Sequence, residues 1–393
     1  MYTLGIFLVV YGFLALTHIL VQLVFAHGEH RKQKSKKFHD FHNGHTATVS
    51  VVVPCFNENP EWLDQCLNSI ASQDYPELEA IVVDDGSKNR QQLLPVFEKY
   101  KNNEMFHFIL QENGGKREAH KAGFDMVRGE IIVTIDSDTI IEAPHGIRHI
   151  IKQFKDPKVG AVTGDVRVVN KKENFLTQLI SYRYWTAFHQ ERAAQSLFNV
   201  LMCCSGPFSA YRRSVLEKVK KAYVSQIFLG QKCTYGDDRH LTNLVLEEGH
   251  QVRFDNKAVS YTYVPNTLWK YVRQQIRWNK SFYREMLWTL KHIHKHHFYM
   301  TYELLMQFLL PFLLLIALAS VVIQAVFIDA SHLWKYLVVL MAIALLRAIY
   351  GIYRTGDFGF LRFIVYGFMH VLLLIPVRLY SIATLKNVKW GTR

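Results

Sequence analysis

The chain has 393 residues, a formal charge of +13, half of its residues apolar and 13% aromatic. It is too apolar for a disordered protein and long enough for one large domain or two ordinary ones. The positive charge admits nucleic acid, anionic lipid, phosphorylated substrates or an acidic product as partners, and does not choose among them.

Residues 2–26, YTLGIFLVVYGFLALTHILVQLVFA, carry no formally charged side chain and are long enough to span a bilayer. No basic residue precedes the run and no small-residue cleavage site is evident, so residues 1–26 read as a membrane helix rather than a signal peptide. A basic linker, 27–46, follows with Arg31, Lys32, Lys34, Lys36 and Lys37 against Glu29 and Asp40. That bias places the downstream chain in the cytoplasm and the N-terminus outside.

From 47 to 265 β-branched runs alternate with segments of helical spacing. TVSVVVPCF, EAIVVDD and EIIVTIDSD read as strands, and PEWLDQCLNSIASQ, RQQLLPVFEKYKN and KREAHKAGFDMVRG read as helices. Such alternation predicts an α/β domain with a mostly parallel sheet, whose ligands bind at the carboxyl ends of the strands. Acidic residues stand at those ends.

VVDDGS, with Asp84 and Asp85, suits a nucleotide's ribose or base, or an ordinary strand-to-turn transition. NGGKR offers glycines, Lys116 and Arg117 at a helix start, a setting for phosphate that also fits a solvated loop. In DSD, extended-chain alternation puts Asp136 and Asp138 on one side, where they can hold Mg²⁺ or Mn²⁺ together with diphosphate oxygens. Asp237 and Asp238 in TYGDDRHLTN precede an amphipathic helix as caps or as a general base. CCSGP, with Cys204 and Ser205, is a tight turn or a wall of the site.

Residues 266–300 form amphipathic, interfacial helices. Within QQIRWNKSFYRE, helical spacing puts Gln274, Arg277, Trp278 and Ser281 on one face, for a hydroxyl, a diphosphate and a pyranose ring. Lys280, Phe282, Tyr283 and Arg284 are assigned to seating the helix at the membrane surface. HIHKHH, 292–297, reads as a basic headgroup-level face rather than a metal site. Residues 301–353 form a transmembrane hairpin, with apolar runs joined by IDASH. The last region, 354–393, contains an apolar run at 358–382 interrupted by Arg362, His370, Pro376 and Arg378, and is expected to be interfacial or re-entrant. The five cysteines lie in the cytoplasmic part, without zinc-site spacing, and are expected as reduced thiols.

The ordered set VVDDGS, DSD, CSGP, GDDRHLTN and QQIRW resembles the processive family-two glycosyltransferases, which build β-linked polysaccharides from nucleotide sugars. NGGKR, ERAAQS, GDDRHLTN, QQIRWNKSF and the terminal WGTR are most similar to hyaluronan synthases of the streptococcal type, from about residue 48 onward. The resemblance implies a GT-A-like domain and, as substrates, UDP-GlcNAc and UDP-GlcA. By it Asp84 and Asp85 would contact the uridine, and Lys116 and Arg117 the rest of UDP. Asp136 and Asp138 would hold the metal, and Asp238, beside Asp237, would be the base. Gln274 and Arg277 would bind the donor, and Trp278, Cys204 and Ser205 the acceptor. Trp390 and Arg393 would belong to a loop closing over the nucleotide.

The resemblance further implies a growing hyaluronan chain exported through the enzyme's own helices at the plasma membrane, with surrounding lipid and one chain sufficient. Nucleic acid is excluded as a partner, because acidic strand ends would repel its backbone. Two departures stand out. The streptococcal type has two N-terminal membrane helices where one is found here, and a short basic tail usually follows WGTR. Chitin-like or other β-linked polymer synthesis, or single-sugar transfer to a lipid carrier, are the alternative activities.

Overall fold

A computed structural model describes residues 2–35 and 47–387. Trp390 and Arg393 lie outside the described residues.

The first apolar run folds as a single helix, Tyr2–Ser35, longer than the expected span. Residues 27–35, expected as part of a linker, continue the helix because their polar side chains find partners on the catalytic domain. His30 Nε2 lies 3.0 Å from the His189 carbonyl, and Gln33 donates to the Phe254 carbonyl at 2.7 Å.

The middle of the chain is an α/β domain. Its strands are β1 (Val49–Cys55), β2 (Leu78–Asp85), β3 (Phe106–Gln111), β4 (Ile131–Thr134), β5 (Thr139–Ile141), β6 (Val159–Val168), β7 (Ser209–Arg212), β8 (Ile227–Phe228), β9 (Gln231–Lys232) and β10 (Gln251–Thr262). Eight of them form one sheet in the order β3-β2-β1-β4-β7-β6-β10-β5, and β8 and β9 form a separate hairpin. The first four positions are parallel and β10 runs parallel to β6, while β7 and the edge strand β5 are antiparallel to their neighbours.

The apolar run of β1 reflects burial on both faces. Val52 packs into one core with Ile81 and Val83, and Val51 and Val53 pack into the other with Val82. Helix boundaries follow local chemistry. Pro60 opens the Pro60–Ala71 helix, and the Asn59 side chain accepts from the Glu61 N–H at 2.8 Å.

One strand ends earlier than expected. β4 stops at Thr134, and Asp136–Asp138 form a turn closed by the Thr139 N–H donating to the Asp136 carbonyl at 3.0 Å. Extended alternation therefore does not explain why Asp136 and Asp138 face the same space; the turn does.

Among the described residues four helices are long and apolar enough to cross a membrane: Gly5–Ser35, Phe298–Phe327, Ser331–Thr355 and the compound segment Phe358–Ala383. The last has both ends against the catalytic domain. At its start Asp357 accepts from Lys171 and Tyr182, each at 3.2 Å. Beyond its end the Asn387 carbonyl accepts from Tyr235 Oη at 2.9 Å and Lys280 Nζ at 3.3 Å. The segment is thus tied to the catalytic domain at both ends. Its ionisable residues His370 and Arg378 line an internal cavity rather than facing outward.

Candidate active site

A single cavity of about 1000 Å³ opens at the carboxyl end of the sheet. It runs from Asp85 and Lys116, past Asp136, Asp138 and Asp238, to Trp278, and on between the apolar helices to Leu314, Leu340 and His370.

At the β2 end, Asp84 is buried and paired with Arg90. Asp85 reaches the cavity wall, but both its oxygens accept hydrogen bonds from the next loop. The backbone N–H groups of Gly114 and Gly115 donate at 2.8 Å each, and Gln111 Nε2 at 2.7 Å. Asp85 thereby shapes the NGGKR loop.

That loop launches the Lys116–Met126 helix, whose first two residues diverge. Lys116 enters the cavity, with Nζ 2.6 Å from Asp136 Oδ1 and 3.3 Å from Asp237 Oδ2. Burial alone would favour its neutral form, but the two carboxylates outweigh this and raise its pKa. Arg117 turns away from the cavity. It is buried and donates to the Tyr223 carbonyl at 2.9 Å and to Gln226 Oε1 at 2.7 Å. The expected placement of Arg117 on UDP is therefore corrected: a helix turns about 100° per residue, so neighbours in sequence face different ways.

The Asp136–Asp138 turn is braced by Glu58, whose Oε2 accepts from Ser137 Oγ at 2.7 Å. Thr262 Oγ1 donates to Asp138 Oδ1 at 3.3 Å. Among the described residues no group of three His, Cys, Asp or Glu forms a metal cage. A pair of carboxylates in a cavity still fits Mg²⁺ or Mn²⁺, because such ions are commonly held by one or two carboxylates and completed by substrate phosphates. Glu58 was not singled out from the sequence, although FNENP follows β1 much as GSKN follows β2.

Asp237 and Asp238 open the Asp237–Glu247 helix behind Gly236, whose φ of +75° suits only glycine well. Burial raises the pKa of Asp237, but Lys116, His120, Arg117 and a backbone hydrogen bond together outweigh it and hold the group down to about 2. Burial and the neighbouring Asp237 charge raise Asp238 above the usual carboxylate range. Asp238 faces the cavity, accepts from the Arg239 N–H at 2.7 Å, and lies 3.7 Å from Cys203 Sγ. Cys203, not Cys204, lines the cavity; Cys204 is fully buried, with its N–H on Thr242 Oγ1 at 2.8 Å. Ser205 remains on the wall. Cys204, expected at the acceptor, is therefore off the cavity wall, and its neighbour Cys203 is on it.

The far wall is the Leu268–Thr289 helix, carrying Gln274, Arg277, Trp278 and Ser281 on the cavity side as the spacing predicted. Trp278 is 46% exposed, so its ring is available for stacking, and Tyr184 tilts against it at 6.2 Å. Gln274 Oε1 is buried and has no hydrogen-bond partner among the described residues, which suits a donor from a sugar hydroxyl. Lys280, Tyr283 and Arg284, expected at a membrane surface, are instead buried against the protein.

Residues 46–281 match the family profile described as glycosyltransferase like family 2. The chain belongs to this family. Within the glycosyltransferase family, the chain is 37% identical over 348 residues to an N-acetylglucosaminyltransferase of Rhizobium sp. strain N33, covering 88% of this chain and 77% of the relative. It is 31% identical over 424 aligned positions to hyaluronan synthase 3 of Xenopus laevis, covering 97% and 74%. A mannosyltransferase of Pyrobaculum calidifontis, solved with GDP-mannose and Mn²⁺, shares the fold at a TM-score of 0.60 and 20% identity, covering 94% of this chain and 99% of that one. The glycosyltransferase thus has the GT-A fold with appended apolar helices.

Proposed function

We propose that this membrane glycosyltransferase extends a β-linked chain with N-acetylglucosamine from UDP-GlcNAc. One observation carries the reading: a single cavity joins the acidic nucleotide-sugar end to a passage between the apolar helices. A transferase handing one sugar to a soluble acceptor has no need of that passage. The choice of N-acetylglucosamine is supported by relatives of that name at 36–38% identity.

In this reading Asp238 takes the proton from the acceptor hydroxyl as its oxygen attacks the donor's anomeric carbon, and the bond to UDP breaks. One base with no second carboxylate as nucleophile gives inversion, so an α-linked donor yields a β-glycoside. Asp136 and Asp138 would hold a divalent ion, which supplies neutralising charge to the departing diphosphate. Lys116 and Arg277 add fixed positive charge. Trp278 carries the acceptor sugar at the head of the passage. The Tyr2–Ser35 helix and the Phe298–Thr355 hairpin cross the bilayer with the catalytic domain cytoplasmic, and Phe358–Ala383 is re-entrant.

A second reading, alternation with UDP-GlcA to make hyaluronan, is favoured by the charge of the passage. Arg183, Arg192, Arg347 and Arg378 line it against the single carboxylate of Glu191, an excess suited to an anionic product. Purified protein supplied with Mg²⁺ or Mn²⁺ and each donor separately or together tests the choice. Chitinase-sensitive product from UDP-GlcNAc alone is expected. Product that requires both donors and yields to hyaluronidase overturns the first reading for the second.

A further inference from the structure

The loop that carries the catalytic pair is held from below by a buried polar network. Arg284 donates to the Tyr235 carbonyl at 2.6 Å, and Arg117 reaches the same carbonyl at 3.4 Å. Two guanidinium groups on one peptide oxygen fix the plane of the Tyr235–Gly236 peptide. Arg284 is 3% exposed, lies beneath the Tyr235 ring at 5.2 Å, and pairs with Glu285 at 3.2 Å.

Glu285, 1% exposed, is the node of the network. It accepts from Gln226 Nε2 and Asn243 Nδ2, and lies 3.0 Å from His240 Nδ1. Gln226 in turn accepts from Arg117. His240 and Asn243 belong to the helix begun by Asp237 and Asp238, and Arg284 and Glu285 to the helix that carries Arg277 and Trp278. Arg277 and Arg284 are seven residues apart, two helical turns along one stripe. Ser281 lies between them, close enough to Gly236 that any β-carbon there would collide with it and with Arg284.

We infer that Arg284 and Glu285 are positioning residues, which lock the base-bearing helix to the acceptor-bearing helix so that Asp238 and Trp278 are held in one frame. The inference rests on the reading of Asp238 as base. The network touches neither cavity end, so its contribution is to geometry and not to donor affinity. A shift of about 1 Å between reacting groups can cost on the order of 100-fold in rate.

The test uses full-length protein in lipid nanodiscs, measuring UDP release from UDP-GlcNAc with and without UDP-GlcA, UDP affinity by calorimetry, and thermal stability. Arg284→Lys and Glu285→Gln are expected to lower kcat on the order of 100-fold while donor KM and UDP affinity stay as in the parent. In the Asp238→Asn background the same changes are expected to add no further loss, because residues acting through one group are non-additive. Unchanged kcat, a loss confined to KM or UDP affinity, or full additivity with Asp238→Asn would each overturn the inference. An active Asp238→Asn protein would instead overturn the base assignment. If either variant does not accumulate folded protein, Gln226→Met, which leaves the Arg284–Glu285 pair intact, replaces it under the same criteria.

Discussion

Lys116 Nζ lies 2.6 Å from Asp136 Oδ1, so the first residue of one helix is tied to the turn after β4. The same ammonium reaches Asp237 at 3.3 Å and thus links the proposed metal carboxylates to the proposed catalytic pair. Lys116→Met removes the cation shared by Asp136 and Asp237. Donor KM and the Kd for UDP are expected to rise about tenfold or more, in line with about 1.5–3 kcal/mol for a charge-assisted hydrogen bond. Unchanged UDP affinity would show that Lys116 serves only the protein.

Asp238→Asn should remove general-base catalysis, a loss of about 10²–10⁴ in kcat. The asparagine is nearly isosteric and keeps an oxygen for the Arg239 N–H, so UDP binding should persist. Initial-rate assays beside calorimetry check both halves.

The pH dependence follows from the paired carboxylates. Asp238 must be ionised to accept a proton, and burial with the Asp237 charge raises its pKa. Activity is therefore expected to fall on acidification at a pH above that of an ordinary carboxylate. Asp237→Asn removes the like charge, lowers the Asp238 pKa and should move the acid limb of kcat to lower pH. A limb that stays in place, or moves up, contradicts the coupling.

Gly236→Ala is expected to be destructive. The backbone there is left-handed and the space is filled by Ser281 and Arg284. Backbone strain alone costs about 1–3 kcal/mol, and displacement of the catalytic loop adds to it. A drop in melting temperature together with lost turnover is the expected pair of readouts.

The passage can be blocked without touching the chemistry. Ala344 lies on its wall, in the Ser331–Thr355 helix. Ala344→Trp should shorten the product on a gel while early turnovers continue to release UDP. Full-length product from this variant would exclude the passage as the route of the chain.

The α/β alternation, the strand end bearing Asp85, and the cavity face of QQIRW were legible because each depends on local periodicity. The burial of β1 on two faces follows from its own composition, and the stripe of Gln274, Arg277, Trp278 and Ser281 from 3.6 residues per turn. Partner choice is not local. Arg117 beside Lys116 and Cys204 beside Cys203 have the chemistry of a binding site, and sequence places them there, while Arg284, two turns beyond Arg277, is assigned to the membrane surface. Only the packing of distant elements turns Arg117 onto the Tyr223 carbonyl and Arg284 onto that of Tyr235.

The same division governs the membrane region. Sequence alone determined that four stretches are apolar and long enough to cross. Only the tertiary structure shows that the last is tied to Tyr182 just before its start and to Tyr235 beyond its end. Hydropathy measures the cost of placing a segment in lipid, whereas its path is fixed by where its two ends are anchored.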